Sequence, residues 1–178
     1  MFRSAVLDLA STTAVEEPAE VVASSSADPE HRSGSSLAMM PIERGKIREY
    51  AAATGAARPV YLDHPAPPIP PTFLSSVVLW APIGKSTRDE RVLEACRSAG
   101  VVAELSTMLS LDQEYFFYGP TLRAGETVSV SERLRDVTVK QGRQGPMVLV
   151  RFVVSFEDPD GRLRAECVYT SAYLRRDA

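Results

Sequence analysis

This sequence is poor in the groups from which active sites are most often built. Outside its first forty residues it has one histidine, His64, and over its whole length two cysteines, Cys96 and Cys167. The cysteines stand far apart without metal-ligand spacing, which points to no metal site and no disulfide framework, and they read as reduced cysteines of a cytoplasmic protein. No apolar run approaches the roughly 20 residues needed to span a bilayer. The most apolar stretch, Phe73 to Trp80, is interrupted by Ser75 and Ser76 and closed by Pro82. A secretory signal is missing too, since Glu16, Glu17 and Glu20 sit where its apolar core would be. With a net charge of -3 there is no basic excess to hold nucleic acid. What these absences leave is an ordinary cytoplasmic protein with neither a membrane nor a nucleic-acid partner. Its 178 residues, 44% hydrophobic, suffice for one domain with a substantial core.

Charge marks a boundary near residue 40. Residues 1 to 40 hold six acidic and two basic residues, whereas the remainder holds 17 acidic and 18 basic. The first part is rich in Ser and Ala without an apolar period, and such a chain does not offset its ordering entropy. Two readings stand for residues 1–40: a disordered tail, or a segment upstream of a translation start at Met39 or Met40. Residues 41–178 are expected to fold.

Within that part, Ile47, Tyr50, Ala51 and Thr54 share one helical face, so a helix is expected from Pro41 to Thr54, with Pro41 in its first turn and Gly55 as its stop. No strand is expected ahead of it. The run His64 to Pro71 contains five prolines and must be a stiff extended loop. After it, Thr72 is placed to cap a buried helix carrying Phe73, Leu74, Val77, Val78 and Trp80. Arg88 to Ser98 reads as an amphipathic helix stopped by Gly100, a peripheral insertion. Four strands are expected at Leu105 to Tyr118, Glu126 to Val139, Met147 to Glu157 and Leu163 to Leu174. In the third, Val148, Val150, Phe152 and Val154 alternate onto one face, while Leu149 and Val153 leave the other partly apolar, so a helix on one face and a partner on the other are expected to cover it. Helix followed by antiparallel meander is an α+β domain.

The run Ala53 to Asp63 resembles the hydratase signature of MaoC-like proteins. There a Gly is followed by an Asp, any residue, Asn-Pro, an aliphatic residue, a His, and an Asp two positions on. Gly55, Pro59, Val60 and Asp63 fit that pattern, but Ala56 stands at the first Asp position, Arg58 at the Asn and Tyr61 at the His. Other pieces follow in family order over about residues 42 to 175: Arg44 with Lys46 to Tyr50, Pro70-Pro71-Thr72-Phe73, Asp112 to Tyr115, and Gly119 to Glu126. Together they are similar to the N-terminal-type, non-catalytic domain of MaoC-like dehydratases, as in the accessory subunit of heterodimeric (3R)-hydroxyacyl dehydratases. The resemblance implies a single hot-dog domain, an antiparallel curved sheet wrapped around a central helix. It also implies acyl thioesters of coenzyme A or acyl carrier protein as substrates, without cofactor or metal, in fatty acid or polyketide metabolism.

Family catalysis uses an Asp and a His to hold a water and move its proton. Ala56 offers nothing to that chemistry, and a phenol of ordinary pKa about 10 is a poor base at neutral pH. No catalytic residue is therefore expected here. The leading expectation is a substrate-shaping subunit of a heteromeric (R)-specific enoyl-thioester hydratase or 3-hydroxyacyl-thioester dehydratase, with a catalytic hot-dog partner. The alternatives are a stand-alone hydro-lyase using Asp63 and His64, and a non-enzymatic acyl-thioester binding module; a homodimer also stands open. A thioesterase is disfavoured because Pro71 to Ser86 contains no carboxylate.

Five residues are candidates for binding the acyl thioester. Tyr61 either donates to the thioester carbonyl or packs with its hydroxyl at the surface. Pro71, Thr72 and Phe73, at the start of the central helix, either lie beside the acyl group or only begin a helix. Gly119, in the segment to Gly125, either lines the channel or makes a turn. Arg143 is a further candidate for a phosphate, against the ordinary reading of a turn arginine.

Overall fold

The computed structural model describes residues 36–175, and the expectations for residues 1–35 lie outside them. Alternation builds its sheet. In β4 (Gly145–Glu157) the side chains of Val148, Val150, Phe152, Val154 and Phe156 are buried on one face. Opposite them in β5 (Leu163–Leu174) stand Tyr173, Ser171, Tyr169, Cys167 and Ala165, turned the same way by register. β3 (Thr127–Gly142) pairs with the other side of β4, β1 (Ser36–Pro41) with β3, and β2 (Met108–Phe117) with β5. All pairs are antiparallel, in the order β1-β3-β4-β5-β2. Bulges at Ser110/Asp112 and Leu134/Asp136 bend the long strands.

β1 corrects the expectation that no strand precedes the first helix. Met40 is fully buried and Met39 is 53% exposed, an alternation too short to stand out in the sequence. Pro41 closes this edge strand, paired with Thr127, rather than opening a helix. An edge strand tolerates proline because the missing N–H need not serve the ladder. α1 accordingly starts later, at Arg44–Ala53, and buries Ile47 and Ala51 as its period requires. The sheet thus begins at Ser36, ahead of the charge boundary at residue 40.

Two segments cover the inward face. Phe73–Leu79 is a 3-10 helix that sends Phe73, Leu74 and Val77 into a core shared with Met40, Ile42, Ile47, Ile69, Leu122 and the inward residues of the sheet. It is not the wholly buried helix expected: Val78 is 59% and Leu79 75% exposed. With three residues per turn, only one narrow row can face the sheet. Thr72 makes no side-chain cap; its hydroxyl oxygen instead accepts from the Tyr50 hydroxyl at 2.9 Å.

The second segment, α3 (Glu90–Ala99), is capped by Asp89 and ends at Gly100, whose φ of 64° needs a glycine. It was expected as a peripheral insertion, yet Val92, Cys96 and Val101 form a second core with Val148, Val150 and Tyr173. The Tyr173 hydroxyl donates to the buried carbonyl of Thr87 at 3.0 Å, tying the 3-10 helix Lys85–Arg88 before α3 to β5. Tyr173→Phe strands that carbonyl and should cost about 1–3 kcal/mol, read as a lower urea midpoint with an unchanged slope.

The outward face carries charged pairs beside its apolar residues, with Leu149 half-buried. Val153 and Val168 are buried there among the chain's own ion pairs, Arg151–Asp136 at 2.9 Å and Arg133–Glu166 at 3.8 Å. Tyr118 donates to Glu166 at 3.0 Å, and its hydroxyl is pushed up to about 12 by burial and then by that carboxylate. Exposed apolar side chains include Val78 and Leu79 of the 3-10 helix and, along edge strand β2, Leu109, Leu111, Phe116 and Phe117, each 42% exposed or more. No helix of the described residues is long and apolar enough to cross a membrane.

Candidate functional site

The signature run folds as a helix, a turn and a short helix. α1 ends in two reversed bonds, Ala56 N–H to the Ala51 carbonyl at 2.8 Å and Gly55 N–H to the Ala52 carbonyl at 3.3 Å. Gly55 takes a φ of 72° between them. This is a Schellman stop, and it needs glycine for conformational reasons alone. α2 (Pro59–Leu62) follows, with Pro59 in its first turn, where the missing N–H is no loss. The spacing of the signature is therefore a folding device that survives without its acid and base. Ala56 is the residue just past the stop, and Tyr61 projects from α2 to pack, half-buried, against the main core.

His64 does not replace the missing base. Its Nδ1 accepts from the Ala66 amide at 3.0 Å, and its own carbonyl accepts from Arg44 Nε at 3.2 Å. The first bond occupies Nδ1 within the loop. Asp63 forms the C-cap of α2, is exposed, and makes no hydrogen bond or ion pair with His64. The two adjacent residues are not a catalytic pair in this geometry.

Pro71, Thr72 and Phe73 are brought to one place, the start of the 3-10 helix. The Phe73 amide already donates to the Pro70 carbonyl at 3.0 Å, so it is not free to face a thioester carbonyl. Tyr50 reaches this start from α1: its hydroxyl donates to the Thr72 carbonyl at 2.8 Å, and its ring meets Phe73 edge-on at 5.5 Å. The loop beginning at Gly119 is joined to the proline run, with Ile69 N–H on the Leu122 carbonyl, Ala124 N–H on the Pro67 carbonyl, and Arg123 on the Ala66 carbonyl at 3.0 Å. Gly119 itself, at a φ of 70°, turns the chain out of β2. It opens the loop whose later residues Leu122, Arg123 and Ala124 hold the proline run, and is not brought to the cluster around Thr72. Arg143 sits at the remote β3–β4 turn, lining an open cavity of about 250 Å³ with Met147, Leu174 and Arg175.

Beneath the 3-10 helix lies a group of polar side chains that the motif did not point to. Tyr115 on β2 is paired with Cys167 on β5, and Gln113 with Tyr169, all four facing inward. Tyr115 donates to Gln113 Oε1 at 3.0 Å, and Ser75 lies within reach of both Tyr50, at 3.3 Å, and Tyr115. Burial pushes the Cys167 thiol up to about 11 and drives the Tyr115 and Tyr169 hydroxyls above their ordinary range. All three hold their protons at neutral pH, so they can donate hydrogen bonds but cannot serve as bases. The sequence signal for this group was the period-2 placement of Gln113, Tyr115 and Phe117, legible only once β2 and β5 are paired. Cys96 and Cys167 are both free and buried. Among the described residues no cluster of three or more His, Cys, Asp or Glu side chains could hold a metal.

A five-stranded antiparallel sheet curved around a short central helix defines the hot-dog class, an α+β architecture. Residues 27–166 match the model of the FAS1-like, dehydratase domain region family, and the chain belongs to that family. No curated protein sequence matches the chain. Among solved structures it is similar to a chain of the ChsH1-ChsH2 complex from Mycobacterium tuberculosis, with 19% identity, TM-score 0.58, and 80% of this chain and 84% of that one covered. A chain of the C-terminally truncated HadBC (3R-hydroxyacyl-ACP dehydratase) complex from the same organism matches at 20% identity and TM-score 0.53, covering 78% and 95%. A MaoC-like dehydratase matches at 20% identity and TM-score 0.58, covering 79% of this chain and 40% of that one. At these identities the structural likenesses establish the fold.

Proposed function

We propose that this chain is the non-catalytic, substrate-shaping subunit of a heteromeric (R)-specific enoyl-thioester hydratase or 3-hydroxyacyl-thioester dehydratase, working in the cytoplasm on acyl groups carried by coenzyme A or acyl carrier protein. One observation carries this reading. The signature is folded with its glycine stop and its proline start intact, while Ala56, Arg58 and Tyr61 occupy the positions where the reaction needs its Asp, Asn and His. Nothing nearby replaces them, since His64 is turned into its own loop and the buried phenols and thiol hold their protons. Adding water to an enoyl thioester requires a group that takes a proton from that water. A second subunit must supply it.

The free edge of β2 is where that subunit fits. Its outer backbone is unpaired and its side chains Leu109, Leu111, Phe116 and Phe117 are exposed, the condition under which strands recruit a neighbour. The named ChsH1-ChsH2 and HadBC complexes, each of two different chains, support a heteromeric reading of this fold. Tyr61, Pro71, Thr72, Phe73 and Gly119 remain the residues assigned to the acyl-thioester site, with Gly119 acting through the proline run.

The test is purification of the full chain from its own cells. A hot-dog protein bearing the intact Asp and His should accompany it, and crotonyl-CoA hydration should follow the two-chain fraction. Introducing Leu111→Lys and Phe116→Lys together should separate the chains at 0.15 M salt and remove that activity from the chain's fraction. A homodimer that retains hydration activity would contradict the proposal.

A further inference from the structure

β5 opens on an irregularity. Its pairing with β4 passes from Leu163 opposite Glu157 to Ala165 opposite Phe156, so Arg164 stands opposite no β4 residue. A bulge of this kind re-aims the side chain it carries. Here the side chain, 14% exposed, reaches both ends of the loop that follows Gly119: it donates to the Pro120 carbonyl at 2.9 Å and lies 3.7 Å from the Glu126 carboxylate. Its other amino group is 3.6 Å from Asp158, in the turn between β4 and β5, which sets a second carboxylate beside an enclosed cation. Arginine suits the place because its planar fork serves several acceptors at once.

Between those two ends the loop carries the proline run. Ile69 donates to the Leu122 carbonyl, Ala124 to the Pro67 carbonyl, and Arg123 to the Ala66 carbonyl. Glu126 closes the loop, since its Oε2 accepts from the Arg123 amide at 3.0 Å while Oε1 faces Arg164. The run then leads directly into Pro70, Pro71, Thr72 and Phe73, where the 3-10 helix starts. Prolines hold their φ angles nearly fixed, so a displacement of the loop is passed along the run and not absorbed within it.

We infer that Arg164 is a positioning residue for the acyl-thioester site: by gripping Pro120 and Glu126 it holds the loop, and through the loop the proline run, where Pro71, Thr72 and Phe73 meet the acyl group. The inference rests on the proposed acyl-thioester site and assigns its placement to a side chain outside it. The kinetic signature follows from the division of roles. A subunit that contributes binding and no proton transfer loses substrate and transition state equally when its site shifts, which raises KM and leaves kcat unchanged.

The experiment uses the assembled two-chain enzyme with crotonyl-CoA, measuring KM, kcat and thermal unfolding for wild type, Arg164→Gln, Arg164→Lys, Glu126→Gln and Asp158→Asn. Arg164→Gln should raise KM about tenfold, the order of one lost charge-assisted hydrogen bond, with kcat within about twofold of wild type. Glu126→Gln should shift KM in the same sense, and the double variant should be no worse than Arg164→Gln alone, because both act through one contact. Arg164→Lys keeps a cation beside Glu126 and should recover part of the loss. Asp158→Asn weakens the same guanidinium's contact with the β4–β5 turn but leaves its grip on the loop, so it should lower the melting temperature while KM stays within about twofold. An unchanged KM in Arg164→Gln, a fall in kcat larger than the rise in KM, or equal KM shifts in Asp158→Asn and Glu126→Gln would each overturn the inference and leave the proposed function standing. Should Arg164→Gln fail to fold, Glu126→Gln and Arg164→Lys decide by the same criteria. Absence of two-chain turnover in wild type would overturn both.

Discussion

In the assembled enzyme, His64→Ala and Asp63→Asn leave crotonyl-CoA hydration within about twofold of wild type, whereas removing the Asp or the His of the catalytic subunit lowers it by about 10²- to 10⁴-fold, the usual worth of a positioned acid or base. The asymmetry follows from geometry. The Nδ1 of His64 is occupied by the Ala66 amide, Asp63 forms no bond to His64, and both side chains are exposed. Neither is held where a water and an enoyl group could meet. A tenfold or greater loss of kcat in His64→Ala would instead place the base in this chain. That outcome would revive the stand-alone reading.

The largest expected effect on stability is at Phe73. Its side chain is 1% exposed, lies under the 3-10 helix against the inward face, and receives the Tyr50 ring edge-on at 5.5 Å. Phe73→Ala removes that burial and leaves a cavity, at a cost of about 3–5 kcal/mol. Against a typical total of about 5–15 kcal/mol this is severe. The expected reading is a lower urea midpoint with an unchanged slope. Tyr50→Phe keeps the ring contact and loses the hydroxyl's bonds to the Thr72 carbonyl, Thr72 Oγ1 and Ser75, so its effect should still be smaller. If the two variants were equally destabilised, the hydrogen bonds of the Tyr50 hydroxyl and not the packing would be holding the central helix in place.

How much of this was legible beforehand depended on the kind of signal. α1 and α3 carried a 3.6-residue period with glycine stops, and β3, β4 and β5 carried long alternating runs, so their positions could be read from Ile47 and Ala51, Val92 and Cys96, or Val148 to Phe156. β1 could not: six residues ending in proline resemble a linker, and its pairing with β3 is a long-range fact. The same holds for the polar group beneath the central helix. Tyr50, Ser75, Tyr115, Cys167 and Tyr169 come from four separate stretches of chain, and no spacing in one dimension brings them together. Conversely, the signature run was conspicuous in the sequence, and the structure shows why part of it persists. Gly55 and Pro59 are kept by the needs of a helix stop and a helix start, which are indifferent to whether Ala or Asp follows.

The central claim is that the acid and base of the reaction lie outside this chain. The most direct measurement is the rate of crotonyl-CoA hydration by the purified full chain alone, followed by the same assay after an equimolar amount of its Asp/His-bearing partner is added. Hydration indistinguishable from the uncatalysed rate in the first assay, with turnover appearing in the second and exceeding that of the partner alone, is the predicted result. Turnover on the order of 1 s⁻¹ or more by the chain alone would contradict it.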